Sequence, residues 1–172
     1  DIITIMTTNF ENKYKTLTIL WNIHQYLLDY LIANNINPEE MPENIELEEK
    51  YILSKLNRTI RDVTEQYEFY NIDKVPSLLE NFILSLSREY IQLTREKVHE
   101  NPQLVLSTIY YTLLDLLKMF STVCPFISEK IYQNLRLPFN LEKESVSLEN
   151  WPKYDPKCID EELEKCFSIT QD

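Results

Sequence analysis

Apolar residues recur every three or four positions over most of this chain, the period of a helix that buries one face. The clearest run is Leu79 to Lys97, LENFILSLSREYIQLTREK. Leu79, Phe82, Leu86, Tyr90 and Leu93 stack along one side, and Ile83 widens it. Arg88, Gln92 and Arg95 fall nearly opposite, because seven residues carry a helix through about two turns. The pattern predicts a helix from Lys74 to Val98, with Pro76 in its first turn, where no amide donor is needed. Its apolar face is for neighbouring helices and its basic face for something else.

The same period predicts further helices. Asn9 to Asn34 carries Leu17, Leu20, Trp21, Ile23, His24, Leu27, Leu28 and Leu31 on one stripe, with Asn9 as a candidate N-cap. Asparagines and prolines make 35–46 a polar loop. Leu47 to Tyr70 keeps Tyr51, Ile52, Leu56, Ile60, Val63 and Tyr67 in register, with Lys55, Arg58 and Arg61 on the polar side. Asn71-Ile72-Asp73 reads as a short turn with a capping aspartate. Pro102 to about Val123 is the next helix, and Pro125 to Leu137 a shorter one. Beyond Leu137 the chain changes character. Pro138, Pro152 and Pro156 punctuate it, Ser145 to Leu148 alternates as a short extended segment would, and Asp160 to Thr170 predicts a terminal helix with Leu163, Cys166 and Phe167 inward. The expected fold is all-α. An antiparallel up-down bundle of four to five helices occupies 1–137, and 138–172 forms an irregular extension, an extended segment and a short helix, packed on it.

Composition narrows the function. The chain has 172 residues, enough for one domain with a real core. It has no glycine, which removes glycine-rich phosphate loops, dinucleotide fingerprints and the G-x-S-x-G elbow. The helices must also end without the usual C′ glycine. A net charge of −11 argues against nonspecific nucleic-acid binding while leaving room for a local basic patch. Cys124, Cys158 and Cys166 form no CxxC pair, and an odd count suits a reducing compartment better than a disulfide framework. No apolar run approaches membrane-spanning length, so no membrane partner is expected. The opening DIITIMTTNF lacks a methionine at its start, which reads as a piece of a longer chain.

Little catalytic chemistry is available. His24 and His99 lie on different elements without a partner set, so no metal site is expected. His24, inside an apolar stripe, reads as a satisfied core histidine. Glu48-Glu49 and Glu161-Glu162 are adjacent and face different ways. Arg58 with Asp62, and Arg61 with Glu65, are i,i+4 pairs of a salt-bridged surface. Arg88 and Arg95 have no acid four positions away, and Leu84 and Ile91 flank them. That setting suits either an interface or a buried cross-helix pair. On these grounds two classes stay open: a ligand-docking bundle, and a helical protein-interaction module with no nucleic-acid role.

Several strings in order carry a family resemblance. LSREYIQLTREK resembles the long helix of the helical-bundle domain in class I aminoacyl-tRNA synthetases, the enzymes for isoleucine, valine, leucine and methionine. TLTILWNIHQYL (Thr16 to Leu28) resembles that family's first bundle helix, and YILSKLNRTIRDV (Tyr51 to Val63) its second. MFSTVCPFISEKIYQNL and SVSLENWP resemble its Pro-Phe-x-x-Glu helix and Ser-Val-x-x-x-x-Trp-Pro segment. The resemblance spans about residues 10 to 155 and is strongest to the isoleucine-specific members of archaeal and eukaryotic cytoplasmic type. It implies an anticodon-binding domain that docks the anticodon stem and loop of isoleucine tRNA in the cytoplasm. It implies no catalytic residue and no cofactor in this stretch. ATP and magnesium would belong to a catalytic domain with the HIGH and KMSKS motifs, which are absent here, as is the editing domain. By family position Trp21, Asn22, Gln25 and Tyr26, with Lys55, Arg58 and Arg61, would contact tRNA. Arg88 and Arg95 would be supporting or stem-facing. A splayed base would stack on an aromatic or arginine plane, and basic side chains would position the phosphates. Trp21 also admits a plain core role.

Overall fold

The computed structural model describes the backbone of residues 2–39, 42 and 44–169, and the side chains of 13–39, 42 and 44–167. Among these residues all regular structure is helical. The long helices are α1 (Ile2–Asn34), α2 (Leu47–Glu68), α3 (Val75–Ser85), α6 (Pro102–Phe120) and α7 (Pro125–Phe139). Between α3 and α6 lie a π-helical turn (Leu86–Tyr90), α4 (Ile91–Leu93) and α5 (Lys97–Glu100); α8 (Glu161–Ile169) comes last.

Several elements depart from the sequence expectation. α1 begins at Ile2, so Asn9 is interior rather than a cap. Asp73 lies in a 3-10 turn (Ile72–Lys74) and caps nothing. The helix expected over 74–98 is interrupted twice. At the π turn the Ile91 amide donates to the Leu86 carbonyl, five residues back. The wider turn lets consecutive Glu89 and Tyr90 both reach α2. The chain then turns at 94–96, where buried Thr94 donates its hydroxyl to the Tyr90 carbonyl. Leu93, assigned to the apolar face, is exposed as a result. Ser145 to Leu148 is not extended. Glu129 accepts from the Ser145 hydroxyl and the Val146 amide, which closes the turn of a 3-10 helix at Val146–Leu148.

With no glycine, α1 and α7 hand over to Asn35 and Asn140 in the left-handed region, the next best residue there. Tyr70 takes the same conformation after α2.

α1 packs on α3, α6 and α7, whereas α2 packs on α3, α6 and α8. The first two helices therefore stand at opposite corners. α6 holds the residues just after α1: Gln103 donates to the Asn37 carbonyl and Tyr111 to the Glu39 carbonyl. The core holds Leu20, Leu27, Leu56, Leu79, Leu86, Leu106, Leu113 and Leu116, all buried. Leu79 sits where α3 meets α1, α2 and α6. Leu79→Ala should lower the unfolding free energy by about 2–5 kcal/mol, the usual cost of a buried leucine truncation, read by urea denaturation with an unchanged slope.

Candidate nucleic-acid interface

The polar residues of α2 are held by its neighbours. Lys55 reaches Glu89 at 2.6 Å and Ser85 at 3.0 Å, and its ammonium lies 5.0 Å from the Tyr51 ring centre. Tyr51 also donates its hydroxyl to Glu89. Burial pushes the Tyr51 phenol well above its ordinary range, and the Glu89 charge adds to this. Burial alone would raise Glu89 too, but the hydrogen bonds from Lys55 and Tyr51 outweigh it and hold the carboxyl below its ordinary value. This depressed group stabilises the fold above about pH 4.5 and loses that contribution as pH falls through its folded value. Thermal unfolding followed downward from pH 5 should therefore show a shallower loss of midpoint in Glu89→Gln than in the parent.

Arg58 pairs with Glu164 of α8 at 2.6 Å, not with Asp62 as the spacing suggested. Glu164 is nearly fully buried and also accepts from Ser54. The Ser54 hydroxyl in turn accepts from the Asp160 amide, and the Phe167 ring stacks on Tyr51 at 4.4 Å. Asp160 caps α8 through the Glu162 and Leu163 amides. Arg61 pairs with adjacent Asp62 at 2.8 Å, not with Glu65. Lys55, Arg58 and Arg61 thus each have a carboxylate partner, and two of them tie α2 to other elements. In α8, Cys166 is exposed rather than inward.

Of the α1 residues, Trp21 and Gln25 flank His24, which meets Asn134 of α7. Trp21 is half-buried, with its ring 4.6 Å from that of His24. His24 is fully buried, with Nδ1 against the Trp21 carbonyl at 3.0 Å and Nε2 against the Asn134 amide at 3.0 Å. Burial lowers its pKa, so the neutral ring is the resident form. Gln25 is half-buried and lies 3.3 Å from the same imidazole.

Asn22 and Tyr26 lie on a different side. Lys15, Ile19, Asn22, Tyr26 and Tyr30 follow helical spacing along one face of α1. That face looks toward the α3–π–α5 run, and both run in the same direction. Lys13, Lys15, Ile19, Glu80, Leu84 and Arg88 line one cleft, in which Glu80 pairs with Lys13. Farther along, burial raises the Tyr26 phenol above its ordinary value, and the charge of Arg95 acts against this. At the far end the Tyr30 and His99 rings are 6.0 Å apart. Lys15, Arg88 and Arg95 are exposed and make no ion pair among the described residues. Six glutamates fall between Glu39 and Glu49, whereas Asp29 is the one acid between Lys13 and Asn34. The predicted residues therefore do not form a single surface. Asn22 and Tyr26 share a face with Arg88 and Arg95, Trp21 and Gln25 flank buried His24, and Lys55, Arg58 and Arg61 stand at the opposite corner. No group of three His, Cys, Asp or Glu side chains among the described residues converges on a metal position.

A family profile described as the anticodon-binding domain of tRNA ligase matches residues 49–172. The chain belongs to that family. Among its relatives, the isoleucine--tRNA ligase of Pyrococcus abyssi is 38% identical over 168 residues, covering 90% of this chain and 15% of that protein. The isoleucine--tRNA ligase of Methanopyrus kandleri is 30% identical over 172 residues, covering 94% and 16%. That of Clostridium novyi is 34% identical over 164 residues, covering 90% and 16%. The chain thus spans about 15% of the length of the relatives it matches. In this anticodon-binding domain, the sequence pattern assigned Lys15, Tyr30 and His99 no role in docking. The i,i+4 spacing of Tyr26 and Tyr30 was available to find Tyr30. His99 had no such signal, because its approach depends on how α5 lies beside α1.

Proposed function

We propose that this domain docks the anticodon arm of isoleucine tRNA, as part of an isoleucine--tRNA ligase whose ATP- and magnesium-dependent chemistry lies in other parts of that protein. The reading places the docking face on α1 and the α3–π–α5 run. The observation that carries it is the set of exposed cations Lys15, Arg88 and Arg95, which make no ion pair among the described residues, beside half-buried tyrosines on one face. RNA affinity comes largely from cations that can neutralise phosphates. A cation already matched to a carboxylate offers less of this. On this reading Asn22 and Tyr26 belong to the docking surface, Trp21 and Gln25 support it through His24, and Lys55, Arg58 and Arg61 chiefly hold α3 and α8 in place.

The test compares a stem-loop RNA carrying the isoleucine anticodon with the same stem carrying a swapped anticodon, at two salt concentrations. Tighter, salt-sensitive binding of the first is expected. Equal and negligible binding of both would remove the reading and favour the protein-interaction alternative.

A further inference from the structure

A groove of about 810 Å³ lies where α1 and α7 end. Leu31, Ile32, Ile36, Pro138 and Phe139 give it an apolar lining. Its charged lining residues are Glu39 and Glu142, both exposed and without an ion pair among the described residues. Asn35 and Asn140, the first residues beyond α1 and α7, line it as well. The last turn of a helix carries unpaired carbonyls and partial negative charge. Arg136, in a neighbouring hollow with Asn140, acts on Glu129 and Tyr132 instead. The groove is therefore apolar and negative at once. One wall is fixed in advance, because Gln103 and Tyr111 of α6 hold the carbonyls of Asn37 and Glu39. Beside Phe139 lies Tyr110, almost fully buried, with the two rings edge to face at 5.5 Å. Its hydroxyl has no hydrogen-bond partner, and a buried hydroxyl left so is costly. Burial first, and then the charge of Glu39, push this phenol above its ordinary range.

We infer that this groove seats an arginine side chain from a segment of the same ligase outside these residues, its stem on Phe139 and its guanidinium donating to Glu39, Glu142 and the Tyr110 hydroxyl oxygen. The assignment to one protein rests on the ligase reading above. Charge complementarity selects a cation, and the apolar lining selects one on an aliphatic stem. Arginine suits the groove better than lysine. Its guanidinium is weakly hydrated, lies flat on aromatic rings, and offers five donors to carboxylates and helix-end carbonyls. An RNA backbone would meet like charge here. The strength of the contact decides the source. One side chain on an open groove holds a free peptide weakly. A tethered segment reaches an effective concentration of about millimolar, enough to populate such a contact without a large interface. The chain spans about 15% of the length of a relative such as that of Pyrococcus abyssi, so most of such a protein is available to supply the segment.

In the intact ligase, hydrogen exchange over 35–39 and 138–142 should be slower than in the isolated chain by roughly 10-fold or more, the worth of a hydrogen bond to a charged group. Glu39→Gln with Glu142→Gln should return it to the rate of the isolated chain. On the isolated chain, ethylguanidinium at high millimolar concentration should shift the Asn35 and Asn140 amide resonances, and neutral ethylurea should not. The same double substitution should abolish that shift, whereas Glu161→Gln with Glu162→Gln, on exposed positions of α8, should leave it. Tyr110→Phe should weaken the titration without lowering the thermal midpoint, because the hydroxyl has no partner in the fold to give up. Equal exchange in the intact ligase and the isolated chain overturns the inference. So does protection that survives the double substitution, since a neighbour would then cover the groove without reading its charge. An ethylurea shift as large as that of ethylguanidinium, or a shift lost equally in the α8 variant, shows that there is no guanidinium site. An unchanged titration in Tyr110→Phe removes the hydroxyl from the contact. Stem-loop binding is measured apart from these: its absence removes the docking face on α1, while the exchange comparison still decides the groove.

Discussion

Lys97→Ala is expected to destabilise the domain by about 3–5 kcal/mol, the cost of leaving a buried charge without its partner. Glu49 is fully buried in α2, 2.7 Å from the Lys97 ammonium and 3.0 Å from the Tyr90 hydroxyl that donates to it. Lys97 also meets Glu48 at 3.0 Å and Glu46 at 3.2 Å. Burial opposes its charge, but the hydrogen bonds to these carboxylates outweigh it and hold the ammonium above its ordinary value. On the lysine's side the contribution is complete below its unfolded value and fades as pH rises through the folded one, and on the side of Glu48, whose carboxyl is held below its ordinary value, it is lost as pH falls. Truncation leaves Glu49 in the interior with Tyr90 as its remaining donor. The thermal midpoint should drop by roughly 2–4 °C per kcal/mol for a domain of this size. Lys97→Met combined with Glu49→Gln should recover more than half of the loss, because the amide still accepts from Tyr90 and no lone charge remains. A cost below about 1 kcal/mol for Lys97→Ala would show that the pair can be dispensed with.

The second large effect concerns binding. Replacing Lys15, Arg88 and Arg95 together with alanine should make the slope of log affinity against log salt shallower by about 2 to 3, close to one unit for each phosphate no longer neutralised. Stability should hardly move, because exposed cations without ion pairs typically change it by less than about 0.5 kcal/mol. Arg58→Ala should behave in the opposite way. It removes the partner of nearly buried Glu164, so the attachment of α8 should weaken while the salt slope stays as it was. Loss of the slope in Arg58→Ala, with the triple variant unaffected, would move the docking face to α2.

Much of this arrangement could be read from the chain itself. Leu79, Phe82, Ile83, Leu86 and Tyr90 are buried as their spacing required, because burial of an apolar face follows helical period whatever the neighbours are. His24 is buried with polar partners, as its place in an apolar stripe suggested. Arg88 and Arg95 are exposed, and neither makes a cross-helix ion pair among the described residues. The interruptions after Ser85 were not legible. A π turn adds no residue type of its own, and it forms here because Glu89 and Tyr90 both have partners on α2.

Sequence by itself determined the helical class, the face that each helix buries, and the family, since these depend on local periodicity and on strings of neighbouring residues. Tertiary structure alone decided which cations are matched. Lys55 and Glu89, or Arg58 and Glu164, are distant in the chain, and their pairing is set by which helices adjoin. The same holds for the corners occupied by α1 and α2. A sequence treats consecutive helices as neighbours, but packing on α3 and α6 puts these two apart. Packing of α5 on α6 instead brings His99 to Tyr30 of α1.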